Sequence, residues 1–521
     1  MTRQLNRYDV AVLPLGWTSR SLPSEASGSR SPALSPDGRH AAYVSDRSGT
    51  PKVWVQPVGS ELTFLVDTGE APVMAVQWST GGGWLACSLA PGGAPRHEVW
   101  LVRPDGSELH QVAGFGTDTA DNMRWLPGRS LLAVTENLTT ALVIDPVTGE
   151  RRALFEGDQV SLLDVTPDFG AALLRRGGRS DRHIAVRDLE TGVEQWVTSG
   201  EEAVFGADGS IWARSDAGEF PVLIRVRNGT STVIAASPSG EVEAFALTAD
   251  GSKAAVLWDV RGGTSAVSVY ADSTLSEIGP LPGLVVSGLS WSTDGSTLAF
   301  TAEGPGQPHG TWVYTAADGI QPVSADEGFT GAALPTLEEF SAHDALPLTG
   351  WLFRPAGDGP HPVVLWFHGG PEAQERPGHG PLFQSLVDRG IGVFAPNVRG
   401  SSGFGRSFVN ADNGKLRYDA IEDVASCVRH LVGTGVADPA RIGVMGRSYG
   451  GYLTLAALVT YPDMFAVGID VCGMANFATF YEHTEPWIAA AAISKYGDRC
   501  RTPTCCATSP RSPASTTCAP R

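Results

Sequence analysis

The chain has 521 residues, 42% of them apolar and 18% charged, and a net charge of −18. That length exceeds what one hydrophobic core serves and calls for two or three domains. The acidic balance argues against a nucleic-acid partner, which needs a basic face, and no apolar run approaches the roughly 20 residues of a membrane span.

The first residues, MTRQLNRYDVAVLPLGW, lack the apolar core and cleavage site of a signal peptide. Cysteine is sparse before residue 500, at Cys87, Cys427 and Cys472, and has no metal-ligand spacing. A reducing, cytoplasmic setting is therefore expected, with no metal and no cofactor. Residues 1–29 form an N-terminal segment. From residue 30 a pattern recurs, clearest in SPDGRHAAYVSD (Ser35 to Asp46), TADGSKAAVLWD (Thr248 to Asp259) and STDGSTLAFTAE (Ser292 to Glu303). Each copy reads as strand, turn and strand, and Asp-Gly predicts a two-residue hairpin turn. Weaker copies surround Gly82-Gly83, Gly128, Asp168 and Asp208-Gly209. The period of about 40 to 45 residues predicts a β-propeller of seven blades over 30–325. Trp54, Trp100 and Trp312 fit packing between blades.

Past Phe329 strands alternate with helices, which predicts a mostly parallel sheet over 330–498. Strand-like runs are Leu337 to Ala342, Leu346 to Phe353, Pro362 to Phe367, Gly392 to Ala395 and Ala466 to Val471, with an amphipathic helix over Asp419 to Leu431. ARIGVMGRSYGGYLTLAALVTY, from Ala440 to Tyr461, supplies strand, G-x-S-x-G and helix in that order, the pattern of a nucleophile elbow. Gly446 and Gly450 remove side chains that would strike strand and helix, leaving the Ser448 hydroxyl exposed. The helix then points its N-terminal amides at developing negative charge. Upstream, His368-Gly369-Gly370-Pro371 follows the Pro362 to Phe367 strand, and its glycines let a substrate carbonyl approach the backbone. The amides of Gly370 and Tyr449 are the expected oxyanion hole, with His368 shaping the loop rather than acting as base.

HGGP, then NVRGSSGFG (Asn397 to Gly405), then GRSYGGY, all behind an Asp-Gly-turn propeller, resembles the prolyl oligopeptidase family of serine peptidases, in its acylaminoacyl-peptidase and dipeptidyl-aminopeptidase-like branches. The resemblance covers about residues 30 to 498. It implies a β-propeller followed by an α/β-hydrolase domain, and cleavage of short peptides near their N-terminus beneath the propeller. Paired glutamates hold a free amino terminus in dipeptidyl-peptidases; Glu201-Glu202 is such a pair, and a solvated turn explains it equally well. An esterase on the same fold and a non-catalytic peptide-binding propeller are the rival readings. A homo-oligomer is compatible with the sequence.

A serine nucleophile needs a histidine base and a carboxylate to orient it. After Ser448 the chain holds one histidine, His483, and the aspartates Asp463, Asp470 and Asp498. Asp470 falls inside a strand, and His483 lies in a segment expected at the surface, so the triad Asp and His are expected to be lacking. From Arg499 the text turns to RCRTPTCCATSPRSPASTTCAPR, which includes Cys500, Cys505, Cys506 and Cys518 and has no acidic residue or histidine. This composition predicts a disordered 499–521 tail and a hydrolase domain without its last strands. A reading-frame shift near Asp498 to Arg501 is the expected origin of the tail, with a genuine disordered terminus as the alternative; a shifted reading of the codons for Thr504 to Ser512 is consistent with Leu-Leu-Arg-Asp-Leu-Ser-Pro-Ile.

Overall fold

The computed structural model describes residues 28–497, apart from 94, 127, 179–181, 326–327 and 329–330. The expectations for Asp498 and the 499–521 tail, and for nearly all of the 1–29 segment, lie outside the described residues.

The repeats fold into a β-propeller. Four-stranded antiparallel sheets span Ser29–Val66, Val73–Ala113, Ala120–Glu156, Gly240–Glu277 and Val285–Ser324, and Val160–Ala235 forms one seven-stranded sheet. Inside that sheet the strand Glu194–Phe205 changes partner midway. Its first half pairs with His183–Asp188 and its second with Ile211–Ser215. Apolar faces of neighbouring sheets meet in shared cores, as where Val44 and Val53 pack with Val76, Leu85 and Cys87. The ring closes between the first and last sheets, where Leu34 and Tyr43 join Ala299 and Val313. Trp54, Trp100 and Trp312 pack against these inter-sheet cores. The innermost strands enclose a cavity of about 980 Å³ lined by residues including Gln77, Met123, Glu202, Phe245 and Leu289.

The repeat turns differ from the expected two-residue hairpin. The Ser35 amide donates to the His40 carbonyl, and the Gly38 amide to the Ser35 carbonyl, so four residues lie between the paired ends. Thr248 with Lys253 and Ser292 with Thr297 close in the same way. The cause is the Ser or Thr two positions before the Asp. The Ser35 hydroxyl donates to Asp37 Oδ1 at 2.6 Å while accepting from the His40 amide at 2.9 Å. Gly38, at φ +67°, takes the left-handed step that follows. These bonds hold the carboxyls of Asp37, Asp250 and Asp294 below the usual range, the Ser or Thr hydroxyl contributing most. Glu201 and Glu202, for which a solvated turn was one of two expectations, lie in the strand Glu194–Phe205.

The α/β half is one six-stranded sheet. Its strands are β1 (Thr336–Ser341), β2 (Pro347–Phe353), β3 (His361–Phe367), β4 (Gly392–Asn397), β5 (Ala437–Arg447) and β6 (Val467–Val471). Their order is β1-β2-β4-β3-β5-β6, antiparallel up to β4 and parallel from there on. Helices α1 (Pro381–Val387), α2 (Arg406–Val409), α3 (Arg417–Gly433), α4 (Tyr449–Thr460), α5 (Phe477–His483) and α6 (Pro486–Tyr496) accompany it. Helices α3 and α4 pack Val424, Leu453 and Ala457 against Leu365 and Val444 on one face. On the other, α1 sets Phe383 and Val387 against Trp351 and Phe353. Among the described residues β6 pairs only with β5, and Val467, Ile469 and Val471 are exposed. No described helix is long and apolar enough to cross a membrane.

Polar contacts join the halves. The Arg376 guanidinium meets Glu243 at 2.8 Å, the Gly263 carbonyl at 2.7 Å and the Ser265 hydroxyl at 2.9 Å, and Trp351 Nε1 donates to the Gly262 carbonyl at 2.7 Å. Three acids crowd this seam, for Asp259 is the cross-strand partner of Glu241 and lies near Glu243. Burial, with those neighbours and against Arg376, lifts the Asp259 carboxyl from 3.8 to about 7, and its Oδ1 has no hydrogen-bond partner. A carboxyl with a raised folded pKa stabilises below its ordinary range and loses that contribution as pH rises through the folded value. Asp259→Asn should therefore raise the melting temperature near pH 8 and leave it nearly unchanged near pH 4. An equal shift at both pH values would contradict this.

Candidate active site

Strand β5 is buried through Ile442 and Val444 between its parallel neighbours, and it delivers the chain to Ser448 at the surface end of the sheet. Ser448 has φ 57° and ψ −113°, a strained conformation for a residue with a side chain. Two bonds hold it there. Its amide donates to the Val471 carbonyl at 2.9 Å, and its carbonyl accepts from the Tyr452 amide at 3.0 Å. Glycine is needed on both sides. A Cβ on Gly446 would sit 2.4 Å from the Gly450 carbonyl, and one on Gly450 would sit 1.9 Å from the Phe367 oxygen. The elbow is thus a direct backbone packing of α4 onto β3, and Ser448 is left half-exposed.

The packing brings the next loop to the serine. A Cβ on Gly369 would lie 3.4 Å from Ser448 Cβ and 4.0 Å from its Oγ. Gly370 is exposed at φ +129°, and a Cβ there would come within 2.8 Å of the Glu372 amide. Tyr449 is the first residue of α4, so its amide has no carbonyl partner within the helix. The first amide of α4 and the Gly369-Gly370 loop thus lie next to a strained serine.

His368 is fully committed to its loop. Nδ1 lies 2.7 Å from the Gly369 carbonyl and Nε2 lies 2.9 Å from the Ser401 hydroxyl, and burial pushes its pKa down. His483 is exposed at the end of α5. Asp470 sits in β6, where its Oδ1 accepts from the Gly473 amide at 2.8 Å. Among the described residues no histidine or carboxylate is hydrogen-bonded to Ser448 Oγ.

Residues that sequence reasoning missed support this end of the sheet. Arg399 is buried and makes paired bonds to Asp423, at 2.8 and 2.9 Å, and to Asp344, at 2.9 and 3.0 Å. It anchors the Asn397 to Gly405 loop, whose Gly403 and Gly405 lie against Asp259 and Glu219 of the propeller. The Tyr449 phenol donates to buried Asp412 at 3.0 Å, and buried Lys495 donates to the same carboxylate at 2.7 Å. Residues 412 and 495 fall outside the glycine motifs, so no local signal marks them.

Residues 381–516 match the sequence model of the prolyl oligopeptidase family. Over 500 residues the chain is 27% identical to dipeptidyl aminopeptidase BIII of Pseudoxanthomonas mexicana, covering 88% of this chain and 72% of that protein. It is 38% identical over 128 residues to dipeptidyl peptidase family member 6 of Caenorhabditis elegans, covering 25% of this chain and 17% of that one. Among solved structures, a puromycin hydrolase superposes with TM-score 0.78 at 18% identity, covering 92% of this chain and 83% of that chain. That likeness extends over both propeller and hydrolase halves.

Gly450→Ala should cost ~3 kcal/mol or more of stability, because a methyl cannot fit against a backbone carbonyl. Gly433→Ala, where nothing lies within 4 Å, should cost nothing. Thermal unfolding of the two variants checks this, and a Gly450→Ala protein as stable as the parent would contradict the packing.

Proposed function

We propose that this chain, similar to serine peptidases of the prolyl oligopeptidase family, cleaves short peptides through an acyl-enzyme on Ser448. The observation that carries the reading is the strained serine at the β5–α4 elbow with the Gly369-Gly370 loop beside it. In this reading Ser448 Oγ attacks the scissile carbonyl, and the oxygen that becomes negative is received by the amides of Gly370 and Tyr449. The family resemblance implies a propeller over the site, which suits short substrates, and the dipeptidyl aminopeptidase relative favours cleavage near the N-terminus.

The propeller is read as seven-bladed, the long sheet being two blades that share the strand Glu194–Phe205, which changes partner at its middle. The domains are taken as 30–325 and 330–498. Free thiols at Cys87, Cys427 and Cys472 support a reducing, cytoplasmic setting.

Turnover by the 521-residue chain should be slow, because no described histidine is bonded to Ser448. Loss of the base lowers a triad serine on the order of 10⁶-fold in kcat, leaving the oxyanion hole to act alone. The same observation favours a second reading, in which the chain binds peptides without cleaving them. Dipeptidyl arylamides and a short-chain p-nitrophenyl ester, assayed with the parent and Ser448→Ala, separate the cases. The expected result is trace turnover lost in Ser448→Ala, whereas equal rates for both proteins would leave only the binding reading. Ester turnover alone would favour an esterase. Rates of an ordinary serine peptidase, abolished by Ser448→Ala, would mean that a base is present and would turn attention to His483.

A further inference from the structure

We propose that Lys495 is a positioning residue that sets the two oxyanion-hole amides relative to each other from α6. The proposal rests on the reading of Ser448 as nucleophile. Lys495, Asp412 and Tyr449 are each 1–2% exposed. Lys495 Nζ donates to Asp412 Oδ1 at 2.7 Å and to the Val409 carbonyl, while the Tyr449 phenol donates to Asp412 Oδ2 at 3.0 Å. The same ammonium lies 3.6 Å from Glu372 Oε1. One cation thus reaches both halves of the hole. Through Asp412 it holds the side chain of the residue whose amide follows the nucleophile, and through Glu372 it holds the loop two residues past Gly370.

The surroundings are built around this cluster. A Cβ on Gly400 would fall 2.4 Å from Asp412 Cγ, so glycine there leaves the room that Asp412 occupies. The Tyr449 ring stacks on Tyr496, the neighbour of Lys495, at 6.3 Å and 22°, and Tyr496 stacks in turn on Phe477 at 4.6 Å. Burying an ammonium among carboxylates adds little stability over an apolar core, whereas a fixed network of charged hydrogen bonds defines geometry. Burial raises the carboxyl of Asp412, and the opposing charge of Lys495 is what favours its ionised, accepting form.

The test uses p-nitrophenyl acetate, an activated ester whose leaving group needs no proton, with the 521-residue chain, Tyr449→Phe, Asp412→Asn, their double variant, Lys495→Gln and Ser448→Ala. Misplacing a donor without removing it should lower kcat about tenfold in each clamp variant and leave KM within about twofold. The double variant should lose no more than the worse single one, because both changes cut the same chain of contacts. Ser448-dependent turnover that Tyr449→Phe leaves unchanged, or losses that multiply in the double variant, would overturn the proposal alone. Parent turnover equal to Ser448→Ala would remove the nucleophile reading and this proposal with it. If Lys495→Gln does not fold, Tyr449→Phe, which deletes one oxygen, decides.

Discussion

The hydrolase half depends on one contact between backbones, the first turn of α4 set against the end of β3 at Gly450 and the Phe367 carbonyl. No side chain fits there. The contact fixes how steeply the chain turns out of β5, and so fixes the positive φ of Ser448. It also places the residues after Phe367 beside that serine, since β3 and β5 are parallel neighbours that end at the same edge of the sheet. A strained serine beside the Gly369-Gly370 loop therefore follows from strand order and from the glycines at 446 and 450. Strain at Ser448 is the cost, and buried apolar contacts of α3 and α4 on the sheet offset it.

The propeller bears on the site through the loop from Asn397 to Gly405. Arg399 ties the loop inward to Asp423 and Asp344, and its glycines turn outward to lie on Asp259 and Glu219. Arg376 makes a second bridge. The seam is polar and rich in carboxylates, unlike the apolar contacts within each half. Burial of Asp259 in this seam makes its contribution to stability depend on pH.

Much of this was legible in the sequence because the signals are local. G-x-S-x-G between an apolar run and a helix, and HGGP after another run, fall where the sequence places them, and the strands of the repeats fall within a few residues of their predicted ends. The failures have physical causes. Asp-Gly suits both short and longer turns, and the choice was made by the hydroxyl of Ser35, Thr248 or Ser292 two positions earlier. Glu201-Glu202 fits a solvated turn and an amino-terminus-binding pair equally well by sequence, and the turn is excluded because the pair lies where one strand passes from one partner to the next, with Glu201 paired to Arg182 at 2.7 Å. Lys495, Asp412 and Glu372 are far apart in the chain and meet only once α6 packs, so no spacing announces them.

A crystal structure of the 521-residue chain with a peptidyl boronic acid tests the site most directly, because boron adds to a positioned serine without protonating a leaving group. The expected result is boron bonded to Ser448 Oγ, with one boronate oxygen about 3 Å from the amides of both Gly370 and Tyr449. Boron bound elsewhere, or an oxygen that meets neither amide, would contradict the assignment of the site.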